Sequence, residues 1–212
     1  MNRLLKLAIS FQENLTDYLR NNPEEYARMG LIEQESFSKY DDPDFIQDPG
    51  DIEDDLNQPG ATGVGVVNNN QISGYVYGYD MTDDEIEDLE IDDNISNKEL
   101  EEQFGAKFYT TVPEHFFKQL KQLVNSKKVF YIANIALPQY KITLPKLLQK
   151  LLTQLRDRKY EYVSFDALSD SARLFMNGMV PKNRILSLFG VKLIVTIPLD
   201  DSNQHIQTLL KI

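Results

Sequence analysis

The run Lys128-Val129-Phe130-Tyr131-Ile132-Ala133-Asn134-Ile135-Ala136-Leu137 constrains the fold more than any other part of the chain. It is almost unbroken in its apolar character and rich in β-branched and aromatic residues. Such a run reads as a strand at the centre of a sheet, covered on both faces. Pro138 ends it, since proline cannot donate to a ladder. Leu144 to Leu155 then reads as a helix, with Pro145 in its first turn and Leu147, Leu148, Leu151, Leu152 and Leu155 along one stripe. Tyr160 to Phe165 is the next strand. A strand, a helix and a second strand in that order call for parallel neighbours joined by a right-handed crossover. The fold class is therefore α/β (α+β), with a mixed central sheet and flanking helices.

Other elements are grouped around this unit. Ala61–Val67 and Gln71–Tyr79 form a hairpin across Asn68-Asn69-Asn70, because asparagine tolerates the positive φ that tight hairpin turns require. Leu4–Ile9 reads as a short strand, Glu13–Asn21 as a helix, and Pro23–Met29 as a second short helix opened by proline. Val112–Val124 is an amphipathic helix with Phe116, Phe117, Leu120 and Leu123 on one face. Asp170–Met176 and Asn183–Leu188 read as short helices, and Val191–Pro198 with His205–Ile212 as a closing antiparallel pair. Residues 33–60 lack periodicity and contain Pro43, Pro49-Gly50 and Pro59-Gly60, so they read as an acidic loop. Residues 82–127 read as an acidic and helical insertion in a single domain spanning 1–212.

Composition removes several chemistries. The chain has no cysteine and only His115 and His205, which excludes disulfides, thiolate nucleophiles and His- or Cys-built metal sites. The acidic stretch 82–102 lacks the glycine turn and alternating oxygen ligands of an EF-hand calcium loop. No apolar run reaches the roughly 20 residues of a membrane span, and the N-terminus turns polar too soon for a signal peptide. A cytoplasmic protein is expected, or one held inside a virion. The net charge is −11, unevenly spread: residues 36–60 and 82–102 are strongly acidic, whereas 118–192 carry mostly Lys and Arg. A basic region of that kind suits a phosphate-bearing ligand, or the two halves neutralise one another. The overall acidity argues against nucleic acid.

The order of elements and several local phrases resemble the GNAT (N-acetyltransferase) superfamily over roughly residues 61–212. Asn134-Ile135-Ala136-Leu137-Pro138-Gln139-Tyr140-Lys141 resembles the family's strand end, followed by proline, a polar residue, an aromatic and a base. Leu147-Leu148 falls at the family's paired leucines. Ser164 to Phe175 resembles its second strand and short helix, and Phe189-Gly190-Val191-Lys192 its last glycine turn.

The resemblance implies a splayed parallel strand pair that takes acetyl-CoA or another acyl-CoA. Ile135, Ala136 and Leu137 would pair with the pantetheine amides, while Lys141, Ile142, Thr143 and Lys146 would lie at the pyrophosphate. The family's glycine-rich turn is replaced here by Ile142-Thr143-Leu144-Pro145, about two residues shorter by the same resemblance, and Pro145 removes a donor. The family's tyrosine acid is matched by Phe175 and Met176. No Glu lies within 128–137, so Tyr131 and Asn134 are the polar candidates for catalysis on that strand, with Tyr77 and Tyr79 on its neighbour. Two functions follow. One is a divergent acyl-CoA-dependent N-acyltransferase acting on a cationic amine or a lysine-rich protein. The other is a non-catalytic scaffold that docks a basic partner through its acidic segments.

Overall fold

The protein is described from a computed structural model covering residues 9–37, 46–83, 86, 113–138, 140–167, 185–189 and 192–199. Among the described residues, seven strands follow the order β1-β2-β3-β4-β5-β7-β6. They are β1 (Ser10–Glu13), β2 (Thr62–Asn68), β3 (Gln71–Asp80), β4 (Val129–Ala136), β5 (Tyr162–Ala167), β6 (Ile185–Phe189) and β7 (Lys192–Pro198). The described helices are α1 (Leu15–Asn21), α2 (Glu25–Phe37), α3 (Pro49–Asn57), α4 (Pro113–Ser126) and α5 (Tyr140–Asp157). β4 and β5 are parallel, paired from Val129↔Tyr162 to Ile132↔Phe165, as the strand–helix–strand order requires. β4 then continues to Ala136. The mixed sheet with flanking helices is the expected GNAT-like architecture.

The chain divides into two compact units. The first holds the residues up to Tyr79 together with Ala133–Gln154; the second holds Asp80–Ile132 and the residues from Leu155. In the first, β1, β2 and β3 form an antiparallel meander. The β2–β3 turn is made by Asn69 and Asn70, both at positive φ (51° and 62°), the conformation that suits a two-residue hairpin. Ser73 is an extra residue between the Val66↔Gly74 and Val67↔Ile72 pairs. This bulge shifts the alternation, so Ile72 joins Tyr75 and Tyr77 in one buried cluster with Leu15, Leu19, Met29, Ile32, Ile52 and Leu56. Side chains of α2 tie the irregular point down. Glu25 Oε2 accepts from the Ile72 N–H (3.2 Å), and Arg28 Nε donates to the Ile72 carbonyl (2.5 Å).

In the second unit, β5 lies between β4 and β7, and β6 pairs antiparallel with β7. Met81, Ile86, Leu120 and Val129 form its buried cluster, with Tyr131 and Tyr162 packed against it. Phe130 meets Tyr160 edge to face at 5.2 Å, and the Tyr160 hydroxyl donates to Asp80.

Five sequence expectations need correction. The strand expected to close with His205–Ile212, β7, instead has β5 on one side and β6 on the other. α2 runs to Phe37 rather than Met29. Gly30 resembles a helix stop, yet a Cβ there would lie 3.0 Å from Pro49 Cγ, so it is the point where α3 closes on α2. Residues 49–57, expected as loop, are helical. Pro49 occupies the first turn and Asp48 caps it: Asp48 Oδ1 accepts from Gly50 N–H (2.6 Å) and Asp51 N–H (3.0 Å), and Asp51 returns a bond to Asp48 N–H. Residues 185–189 form strand β6, not a helix; short apolar runs suit either state until a neighbouring strand pairs with them. α5 starts at Tyr140, not Leu144, which places Pro145 in its second turn. The first described strand is Ser10–Glu13, after the expected Leu4–Ile9, most of which lies outside the described residues with 168–184 and 200–212.

The cap carries a measurable consequence. Asp48→Ala is expected to lower stability by about 1 kcal/mol, read as a lower urea midpoint at an unchanged slope. A midpoint equal to the wild type would show that the capping box contributes nothing here.

Candidate functional site

The densest polar cluster in the first unit lies on the helix-bearing side of β3. α2 carries apolar residues at Met29, Ile32 and Phe37, and the same stripe presents Glu33, whose side chain is fully buried. β3 contributes Tyr75 and Tyr77, two residues apart and therefore on one face; their rings stack at 5.7 Å. α3 contributes Asp55, the segment before it contributes Gln47, and β4 contributes Asn134.

Hydrogen bonds join them in two groups, Tyr75 with Glu33, and Gln47 with Tyr77, Asp55 and Asn134. The Tyr75 hydroxyl donates to Glu33 Oε1. The Tyr77 hydroxyl lies 2.6 Å from Gln47 Oε1 and 3.0 Å from Asp55 Oδ2. Gln47 Nε2 donates to Asp55 Oδ2 (2.9 Å), and Asn134 Nδ2 donates to Gln47 Oε1 (2.7 Å). Glu33 Oε2, by contrast, has no hydrogen-bond partner among the described residues.

Burial pushes the Glu33 carboxyl up from 4.5 to about 7, while the Tyr75 bond, with Asn134 and the Gln47 backbone N–H nearby, opposes that rise. Burial also holds the Tyr75 phenol well above its ordinary range, reinforced by the neighbouring Glu33 charge. The Tyr77 phenol is raised likewise, by burial first and then by Asp55. The two tyrosines are therefore neutral donors at any physiological pH. Glu33 is the carboxyl here that burial lifts towards neutrality.

The sequence candidates fall in different places. Asn134 lies in this cluster. Tyr131 packs instead in the second unit's apolar cluster. Ile135 is half-buried; Ala136 and Leu137 are buried at the end of β4, where Gly74 makes room for them: a Cβ on Gly74 would lie 2.4 Å from Leu137 Cδ2. Lys141, Ile142 and Thr143 occupy the first turn of α5, and Lys146 is exposed one turn further on. The backbone N–H groups of a first helical turn are free to meet an anion. Pro145 lies beyond that turn, so its missing N–H deprives the Lys141 carbonyl of a helix bond instead of removing an end donor.

Glu33, Gln47 and Asp55 were not visible as site residues, because residues 33–60 read as loop. A usable signal was present: Glu33 follows Met29 and Ile32 on one helical face, and an acid on an apolar stripe is rarely buried without a purpose.

In the second unit, a cleft of about 420 Å³ is lined by Lys127, Arg156, Lys159 and Glu161 among others. Lys127 is already paired with Glu161 at 2.7 Å. Both are substantially exposed, so the pair contributes little to stability.

Among solved structures, the chain is similar to FeeM, an N-acyl amino acid synthase from uncultured soil microbes (12% identity, TM-score 0.55, covering 96% of this chain and 99% of that one). It is also similar to the Drosophila melanogaster polyamine N-acetyltransferase, which forms N-acetylagmatine (14%, 0.51, covering 90% and 99%). A third likeness is to the PaiA N-acetyltransferase of Thermoplasma acidophilum in complex with coenzyme A (9%, 0.50, covering 91% and 99%). No family model and no curated protein sequence matches the chain. Identities this low establish the fold, which is that of the GNAT acetyltransferases.

Proposed function

We propose that this GNAT-fold chain is an acyl-CoA-dependent N-acyltransferase acting on a cationic amine, with Glu33 as the proton acceptor. One observation carries the proposal: a fully buried carboxyl on α2, bonded to the Tyr75 hydroxyl and pushed up to about 7 by that burial. An amine attacks only after losing a proton, and the best general base at neutral pH titrates near neutrality. Ionised Glu33 meets that requirement, and Oε2 is the atom left to accept the proton. The Tyr75 hydroxyl holds the carboxylate in place.

Acyl-CoA supplies the activated acyl carbonyl. The donor set suits it at backbone level. Ile135, Ala136 and Leu137 offer strand groups for amide pairing. The first turn of α5 offers free N–H groups, with Lys146 adding charge. Backbone donors do not depend on particular side chains, so the missing glycines leave them in place.

Acetyl-CoA binding tests the reading directly. At 100 times the dissociation constant a ligand adds about 2.7 kcal/mol, seen as a higher Tm. Transfer to a polyamine or a lysine-rich protein is then expected in a discontinuous assay. No thermal shift at millimolar acetyl-CoA would remove the enzyme reading.

A second reading has its own support. α3 exposes Asp51, Glu53 and Asp54 while burying Ile52 and Leu56. Such an acidic face suits a basic partner, captured at low salt and released at high salt. If the protein binds no acyl-CoA but retains lysine-rich proteins in this salt-sensitive way, it is a docking scaffold.

A further inference from the structure

We infer that the cleft in the second unit is a phosphate site, taking the free anion or a small organic phosphate of mononucleotide size. The site is independent of Glu33 and of acyl transfer. Among the described residues, its lining brings Lys127, Arg156 and Lys159 against one acid, Glu161. The chain as a whole has a net charge of −11. A local excess of cations in such a molecule runs against the overall field and concentrates anions at that point. The basic character of residues 118–192 therefore gathers at the C-terminal end of α5, whereas the groups proposed for acyl-CoA lie at its first turn.

The backbone that carries these cations is fixed on both flanks. The Lys159 N–H donates to the Arg156 carbonyl (3.0 Å) and the Tyr160 N–H to the Leu155 carbonyl (2.9 Å). The Glu161 N–H donates to the Lys128 carbonyl (2.9 Å), and the Glu161 carbonyl accepts from the Leu199 N–H (2.9 Å). Lys159 has a φ of 64°, the left-handed conformation that ends many helices and favours glycine. A lysine there bears a backbone penalty that glycine would avoid. The helix dipole does not account for it, because Arg156 already places a cation in the last turn. The side chain kept at this strained position lines the cleft.

Phosphate suits the set. Arg156 offers a planar fork that matches two phosphate oxygens, and Lys159 adds a compact charge. Lys127 is paired with Glu161 at 2.7 Å, and that pair is exposed and readily exchanged. The negative end of α5 opposes an anion by roughly half a unit charge. That is less than the two-charge excess of three cations over one acid. The volume of about 420 Å³ falls in the range of small-ligand pockets, and half-buried Tyr162 offers a ring to an organic portion.

The test titrates the full chain, free of acetyl-CoA, with inorganic phosphate and separately with adenosine monophosphate. Backbone amide shifts locate the site and calorimetry gives the affinity. Saturable shifts are expected at Lys127, residues 159–162 and Leu199. Lys159→Gly should weaken binding about tenfold, the worth of one charge-assisted bond, with no loss of Tm because glycine suits the left-handed backbone. Glu161→Gln removes the one acid and releases Lys127, so it should tighten binding about threefold. Lys118→Gln, an exposed cation on α4 outside the cleft, makes the same charge change as a control and should leave affinity as it is. Tighter binding of adenosine monophosphate identifies an organic phosphate as the ligand, and equal affinities identify the free anion. No saturable shift at 10 mM of either probe, a rough ceiling for specific weak binding, overturns the inference. So do shifts confined to Lys141–Thr143, which would place the phosphate at the groups proposed for acyl-CoA. Affinity unchanged in both Lys159→Gly and Glu161→Gln also overturns it, since the cations would then serve only the helix end.

Discussion

Stability is expected to fall as pH rises from about 4.5 through about 7, and Glu33→Gln is expected to abolish that fall. The folded-state pKa of Glu33 is raised above its ordinary value of 4.5, so the folded chain binds this proton more tightly than the unfolded chain does. The contribution is fully present below about 4.5 and is lost as pH climbs through about 7. Its size is roughly 3 kcal/mol, taken from the difference between the two pKa values. Urea unfolding across this range measures it. A wild type with no slope, or a Glu33→Gln variant with the same slope, would refute the burial argument.

The same substitution tests the chemistry. Turnover in Glu33→Gln should drop by about 10²–10⁴, the usual worth of a general base. Wild-type activity should rise with pH around a midpoint near 7. Stability and activity then run in opposite directions: the ionised acid that the reaction needs is the form the fold tolerates least. Storing a destabilised group at a working site is a common cost of function. Full activity in Glu33→Gln would remove Glu33 as the proton acceptor.

Gly63→Ala is expected to lower stability by roughly 3 kcal/mol, the upper range for overpacking a core. Gly63 stands directly opposite Tyr77 across β2 and β3. A Cβ there would lie 2.5 Å from the Val76 carbonyl oxygen, 2.7 Å from Tyr77 Cβ and 3.0 Å from Tyr77 Cα. These are mainly backbone positions, and no flexible side-chain end can yield. The strands must separate, carrying the Tyr77 hydroxyl away from Gln47 and Asp55. Thermal unfolding reads the effect on stability. A Gly63→Ala protein as stable as the wild type would show that the two strands separate at little cost.

Local periodicity was enough to place β4, the β2–β3 hairpin, the leucine stripe of α5 and the parallel β4–β5 pair. Each of these depends on residues close in sequence: an unbroken apolar run, two asparagines at a turn, leucines spaced for one helical face. The GNAT-like order of elements followed from them. Asn134 was legible as a polar residue on an apolar strand, but its partners were not. Gly30 and Pro49-Gly50 punctuate the sequence as though a loop began there. Only packing shows that Gly30 admits Pro49 and that Asp48 starts a helix. β6 became a strand because β7 pairs with it along its length. The protonation of Glu33 was the least accessible feature. A glutamate has the same intrinsic chemistry at any position, and its pKa is set by desolvation and by the donor that Tyr75 brings from 42 positions further along the chain. That arrangement exists only once α2 has packed on β3, so tertiary structure alone decided that burial lifts the Glu33 carboxyl towards neutrality.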